Sequence, residues 1–206
     1  MSNPQRGVLL VVSGPSGAGK GTVVDRLMAQ NDNFRLSISA TTRPPRTNEE
    51  PGKSYHFVST QEFEDLITHD QLLEYNEYNG NLYGTPVASV FELLDNGFDV
   101  ILEIDMNGAE QIRDKVSEVV SIFVVPKQFD DLEKRLISRY TENMDDIKRR
   151  LMIARKEYTR ARDYDYVVLN DTIEDAVSEI MAIVTAEKCK TRHRARLIES
   201  GENALL

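Results

Sequence analysis

Gly14-Pro15-Ser16-Gly17-Ala18-Gly19-Lys20 takes its meaning from what stands on either side of it. Before it, Val8-Leu9-Leu10-Val11-Val12 is a continuous apolar run, the pattern of a strand covered on both faces. After it, Gly21 to Gln30 is amphipathic, with Val23, Val24, Leu27 and Met28 at helical spacing. A strand, a loop of the form G-x-x-x-x-G-K and a helix make a phosphate-binding arrangement. The glycines let the backbone fold back so that successive N–H groups face inward, and the helix adds its positive N-terminus. Lys20 then reaches β- and γ-phosphates as a mobile point charge. Gly21 departs from the common form, which has Ser or Thr there to bind Mg²⁺. Thr22 lies roughly 100° further round the helix and does not simply replace that hydroxyl. A metal is therefore expected mainly on phosphate oxygens and waters. Asp105, at the end of an apolar run, is the candidate acid for holding those waters.

Outward from the loop, strand-like and helix-like segments alternate. Phe34 to Ser39, Val100 to Asp105, Val119 to Val125 (stopped by Pro126) and Tyr166 to Leu169 read as strands. Gly108 to Lys115, Phe129 to Ser138, Met144 to Tyr158 and Ile173 to about Arg192 read as helices. That alternation predicts an α/β fold with a parallel sheet. Between Ser39 and Gly97 the rhythm changes. Tyr55 to Val58 and Leu72 to Tyr78 read as strands, Gln61 to His69 as a helix, and Asn79-Gly80 as a hairpin turn, since both residues tolerate positive φ. This stretch predicts an inserted α+β lobe.

The 206 residues are 40% hydrophobic and 29% charged, ordinary for a globular chain and too apolar for general disorder. A net charge of −9 argues against broad binding to nucleic acid or to an anionic membrane. Cys189 is the single cysteine, so neither an intrachain disulfide framework nor a cysteine zinc site is available. His56, His69 and His193 are scattered without metal spacing. The start, Met1 to Gly7, is short and polar, and no apolar run approaches membrane-spanning length, so a cytoplasmic location is expected. Lys188, Lys190, Arg192, Arg194 and Arg196 read as a solvated helix end whose cations suit the helix dipole.

The lobe carries a second set of anion-binding residues. Ser39-Ala40-Thr41-Thr42-Arg43-Pro44-Pro45-Arg46 sets two guanidinium groups three residues apart on a proline-stiffened segment. Planar forks of this kind pair bidentately with phosphate. Tyr55 and Tyr83 add phenol hydroxyls, while Glu74, flanked by Leu72, Leu73 and Tyr75, and Thr85 stand free to read a base. A monophosphate held by Arg43, Arg46, Tyr55 and Tyr83 is one reading, and a surface loop with solvated arginines is the other.

At this point the chain resembles the guanylate kinase family. Gly14 to Lys20, Ser39 to Arg46, Gly52 to Val58, Glu74 with Gly80 to Pro86, and Ile104-Asp105-Met106-Asn107-Gly108 match its successive motifs in order, and the similarity runs from about Gly7 to Lys188. The resemblance implies ATP + GMP ⇌ ADP + GDP with Mg²⁺. It implies a three-layer P-loop fold: a CORE of 1–38 and 97–206, a GMP-binding lobe of 39–96, and a mobile LID at about 136–150. ATP is expected on Gly14, Pro15, Ser16, Gly17, Ala18, Gly19, Lys20, Gly21 and Thr22, with Arg135 assisting and Asn170 near the adenine. The family's guanine contacts fall on Ser39, Glu74 and Thr85, and its phosphate contacts on Arg43, Arg46, Tyr55 and Tyr83. Glu103 and Asp105 are grouped with the GMP contacts, Asp105 also holding the metal through water. Lys20, Arg43, Arg139 and Arg150 are the expected catalytic charges. A carboxylate accepts from guanine N1–H and the N2 amino group together, a donor pair adenine lacks, so discrimination beyond ~1–3 kcal/mol is expected. The use of dGMP is left open.

Three departures from the family pattern stand out: Gly21, Ser54 where an acid is often found, and Tyr140 where glycine is often found. The alternatives are another nucleoside-monophosphate kinase, a non-enzymatic guanylate-kinase-like binding module, and a simple P-loop hydrolase. Glu74 opposes the first, because it would repel adenine N1. The intact phosphate loop opposes the second, and the LID arginines would have no task in the third.

Overall fold

The computed structural model describes residues 6–132, 144–195 and 198. Its first sheet has five strands: β1 (Leu9–Ser13), β2 (Phe34–Leu36), β7 (Asp99–Glu103), β8 (Val119–Pro126) and β9 (Tyr166–Asn170), in the order β2-β7-β1-β8-β9. Every pairing in it is parallel, with Leu10 opposite both Ile101 and Val120. The continuous apolar run of β1 has a direct cause: each of its faces is covered. Val8, Leu10 and Val12 join a core with Val23, Val24 and Leu27 of α1 (Lys20–Gln30) and with Val177, Ile180 and Val184 of α6 (Ile173–Lys188). Leu9 and Val11 face the other way, against Val90 and Leu94 of α3 (Val87–Asp95) and Met106, Ala109 and Ile112 of α4 (Met106–Lys115). Each fully buried Val or Leu contributes about 1.5–3 kcal/mol, so both helical layers are needed to keep β1 from water. The architecture is the expected α/β fold, a central parallel sheet with helices on both faces.

A second sheet is built from β3 (Ala40–Thr41), β4 (His56–Phe57), β5 (Leu72–Tyr78) and β6 (Asn81–Pro86), in the order β4-β3-β6-β5. α2 (Thr60–Thr68) packs on it through Phe63, which meets Ala40 and Leu72. Ser59 and Glu62 start α2 with a reciprocal capping box. Asn79 and Gly80 turn the β5–β6 hairpin at positive φ, 51° and 76°. The ladder shifts register between Leu72 and Glu74, which sets Glu74 opposite Thr85.

Some elements differ from expectation. α3 is an unanticipated helix, although Val87, Val90, Phe91 and Leu94 follow helical spacing. β2 ends at Leu36, not Ser39, and α4 starts at Met106 because Asp105 caps it by accepting from the Gly108 N–H. α6 stops at Lys188, and a 3-10 turn follows over Thr191–His193. The described part of the basic tail keeps the expected solvated helix end: Lys188 stands in the last turn of α6, and Lys190, Arg192 and Arg194 are exposed. Lys188 Nζ lies 2.6 Å from the buried Asp99 Oδ2, and Lys190 and Arg192 fold back on the buried Glu187 at 2.7 and 3.2 Å. Helix α5 (Met144–Thr159) lies close to expectation, while the expected 129–138 helix lies outside the described residues from 133 onward. Among the described residues no helix is long and apolar enough to cross a membrane.

Candidate active site

The phosphate loop joins the end of β1 to the start of α1. Gly14 has φ 143°, and a Cβ there would collide with the Val124 carbonyl of the neighbouring strand. Gly19 precedes α1 in the left-handed region at φ 88°. Both positions require glycine, one for space as well as conformation. Lys20 Nζ donates to the Gly14 and Pro15 carbonyls at 2.6 and 3.2 Å. Burial lowers its pKa, opposed by the carboxylates of Glu103, Glu157 and Asp105. Asn170, 4% exposed, donates from Nδ2 to the Ala18 carbonyl at 2.7 Å, so its carboxamide braces the loop from β9. Arg150, on α5, hydrogen-bonds Ser16 Oγ.

Glu157, two turns beyond Arg150, faces the same loop. Burial pushes its carboxyl above the usual range, while Lys20 and the Ser16 backbone N–H pull it down. Its Oε2 is buried with no hydrogen-bond partner among the described residues. The sequence reading missed Glu157, because an acid on an amphipathic helix reads as part of the solvated face.

A cavity of about 240 Å³ opens between the two sheets, lined by Ser39, Tyr55, Glu74, Asn76, Tyr78, Tyr83, Glu103, Ile104 and Asp105. Six of the nine residues expected for GMP are in that lining. Thr85 stands just behind it, its Oγ1 donating to Glu74 Oε1 at 2.6 Å. Glu74 is 6% exposed. Burial pushes its carboxyl up, the Thr85 hydroxyl acts against that, and the nearby Asp105 charge adds to it. Burial likewise raises Glu103, with Lys20 opposing. Asp105 Oδ2 accepts from Asn76 Nδ2 at 2.8 Å, so the acid that caps α4 also ties β5 to the parallel sheet. Asn76 was not singled out in the sequence.

Arg43 stands at the edge of this cavity. Its guanidinium lies 5.5 Å from the Tyr55 ring centroid and 2.8 Å from Glu49 Oε1, with Tyr83 also in hydrogen-bonding range. Glu49 was likewise missed; its Oε2 accepts from the Arg46 backbone N–H at 2.8 Å and shapes the arginine loop. The Arg46 side chain is exposed and is not part of the cavity lining. Thr22 is exposed on α1, and Gly21 leaves an opening in which an added Cβ would sit 3.5 Å from Glu103 Oε1. Arg135, Arg139 and Tyr140 lie outside the described residues. Among the described residues no three His, Cys, Asp or Glu are grouped to hold a metal ion.

Comparison with known proteins bears on this arrangement. A family model described as guanylate kinase matches residues 6–187. Guanylate kinase of Clostridium perfringens (strain 13) is 46% identical over 201 residues, spanning 97% of this chain and 93% of that one. Guanylate kinase of Lactobacillus delbrueckii subsp. bulgaricus is 50% identical over 188 residues, 91% of this chain and 92% of its own. The crystal structure of guanylate kinase from Anaplasma phagocytophilum superposes with a TM-score of 0.73 at 34% identity, covering 95% of each chain.

Proposed function

We propose how this chain's residues share a single reaction, since it belongs to the guanylate kinase family: the γ-phosphoryl group of ATP passes to GMP, giving ADP and GDP. The observation that carries the division of labour is Glu74, a buried acid held by Thr85 in a cavity it shares with Glu103 and Asp105, both of which act on Lys20. Guanine enters against Glu74, which accepts from N1–H and the N2 amino group, while Ser39 and Thr85 complete the base contacts. The GMP phosphate meets Arg43, Tyr55 and Tyr83, with Arg46 reaching in from the exposed edge of its loop. Arg43 keeps Glu49 and still has donors to spare, since a guanidinium carries five N–H groups.

On the ATP side, the loop from Gly14 to Gly19 receives the phosphates with Gly21 and Thr22 behind it. Lys20 exchanges the Gly14 and Pro15 carbonyls for phosphate oxygens. Arg150, already on Ser16, supplies positive charge to the transferring group, and Arg135 and Arg139 belong to the same set. Asn170 acts through the loop it braces. No protein nucleophile is needed; the work is positioning and charge stabilisation along an in-line path. The boundaries proposed are a CORE of 1–38 and 97–206, a GMP-binding lobe of 39–96 and a LID at about 136–150. GMP and ATP are the proposed partners, with the cytoplasm as the location.

Mg²⁺ is the proposed cofactor. Both Asp105 oxygens already accept one hydrogen bond each, from Gly108 and Asn76, and each keeps a further lone pair for a water. Asp105 thus fits an indirect, water-mediated hold, alongside the phosphate oxygens of ATP. Bound there, the ion would neutralise charge on the triphosphate.

The test is the initial rate of ADP formation from ATP with GMP, AMP, CMP and UMP in parallel, against a control without acceptor. Turnover with GMP far above the other three is expected. Comparable turnover with AMP would overturn the base assignment while leaving the fold untouched.

A further inference from the structure

Gly108 sits in the first turn of α4 with an ordinary negative φ, unlike the chain's positive-φ glycines at 14, 17, 19, 52, 80 and 97. Its backbone therefore does not need glycine, and helix propensity favours alanine at such a place. What glycine supplies here is space. A Cβ at 108 would lie 2.7 Å from Glu74 Oε2, 3.2 Å from Cδ and 3.4 Å from Cγ. Three consecutive atoms of the carboxylate arm thus rest on the bare α-carbon. The arm has little freedom to yield: Glu74 is buried, and its Oε1 is held at 2.6 Å by Thr85. The Gly108 N–H meanwhile donates to Asp105 Oδ1, a bond that any residue except proline keeps.

The geometry points to Gly108 as a positioning residue for base selection, the floor that sets how deep the Glu74 carboxylate sits beneath guanine. The inference rests on the reading that Glu74 accepts from the base. Alanine at 108 moves the carboxylate by several tenths of an ångström, either toward the incoming base or rotated away from Thr85. Both displacements spoil a two-bond acceptor whose oxygens must match N1–H and N2 together. A misplacement of about 1 Å at a reacting assembly can cost on the order of 100-fold, and a smaller one here should cost about 10- to 50-fold.

The experiment is a cycle of four proteins: the parent, Gly108→Ala, Glu74→Ala and the double variant, each measured for KM and kcat with GMP and with ATP, and for thermal unfolding. Gly108→Ala is expected to lower kcat/KM for GMP about 10- to 50-fold while KM for ATP stays within about twofold and Tm does not fall. In the Glu74→Ala background the same change is expected to do nothing further, since the atoms it would strike are gone. A Gly108→Ala loss that adds in full to the Glu74→Ala loss would overturn the inference, because Gly108 would then act through something other than Glu74. Unchanged GMP kinetics in Gly108→Ala, with a large loss in Glu74→Ala, would overturn it while sparing the base reading. Unchanged GMP kinetics in Glu74→Ala would overturn both.

Discussion

Replacing Glu74 by glutamine pulls apart two consequences of one buried carboxylate. The side chain keeps its shape, and its Oε1 can still accept from Thr85 Oγ1, which lies 2.6 Å from Glu74 Oε1 in the parent. Toward guanine, however, an amide offers one acceptor and one donor where the carboxylate offered two acceptors, so an N–H of the variant meets an N–H of the base. Hydrogen bonds to a charged group are worth about 1.5–3 kcal/mol each, so losing one and weakening the other costs about 2–4 kcal/mol. That is roughly a 30- to 1,000-fold fall in kcat/KM for GMP, with KM for ATP within about twofold. Stability should move the opposite way. Burial holds the folded Glu74 pKa above its unfolded value, so the folded state binds more protons between the two pKa values and stability falls as pH rises through that window. At pH 8 the full cost of the buried charge is present, and glutamine removes it. Each pKa unit is worth about 1.4 kcal/mol, and 1 kcal/mol moves Tm by about 2–4 °C in a chain of this size. Steady-state kinetics with each nucleotide, plus melting curves at pH 8 and near pH 4, decide the matter. The variant should melt higher at pH 8, with the gap narrowing toward pH 4. Equal losses for GMP and ATP, or a lower Tm at pH 8, would refute the reasoning.

Asn170→Ala removes the hydrogen bond from β9 to the Ala18 carbonyl; a cost of about 0.5–1.5 kcal/mol in stability is expected, with KM rising for ATP more than for GMP, and equal rises would count against the brace. Glu157→Gln removes a negative charge beside Lys20 and the phosphate loop, so calorimetric titration should show tighter ATP binding, by several-fold, and weaker binding would mean that the carboxylate serves the nucleotide directly. Asp99, 2% exposed, accepts from the Val8 N–H, Asn33 and Lys188 together. Asp99→Ala should cost about 3–5 kcal/mol, hence a Tm drop of roughly 6–20 °C, while GMP and ATP KM values hold; a drop under about 3 °C would show that the network is incidental.

What could be read in the sequence depended on how local the cause was. The run Val8 to Val12 announces a doubly covered strand within five residues, and the loop from Gly14 to Lys20 carries its own chemistry. α3 was legible too, since Val87, Val90, Phe91 and Leu94 follow helical spacing. β3 has two residues, too few for any period to show. Glu74 was found because an acid among apolar neighbours is conspicuous. Glu49, Asn76 and Glu157 look like ordinary surface residues until the fold brings Arg43, Asp105 and Lys20 to them. The Ser16–Arg150 contact joins residues 134 apart, and nothing local encodes it. The ion pairs made by Lys188, Lys190 and Arg192 were hidden for the same reason: their partners Asp99 and Glu187 are surface-like acids in the sequence and buried in the fold.

The hydrogen bond from Asn170 to Ala18 spans 152 residues, and β9 is both the last strand among the described residues and an edge of its sheet. During synthesis, then, β1 and the glycine loop emerge first, but the brace that fixes the loop arrives only when β9 has been made and has docked beside β8. Contacts of such separation form late, after the entropy of closing a long loop has been met by other pairings. A chain arrested before residue 170 would display the whole G-x-x-x-x-G-K motif without that support. ATP that binds the finished loop would in turn hold β9 in place, adding about 2.7 kcal/mol at a hundred times its Kd. The nucleotide so becomes a check on completion, favouring molecules in which β9 is seated.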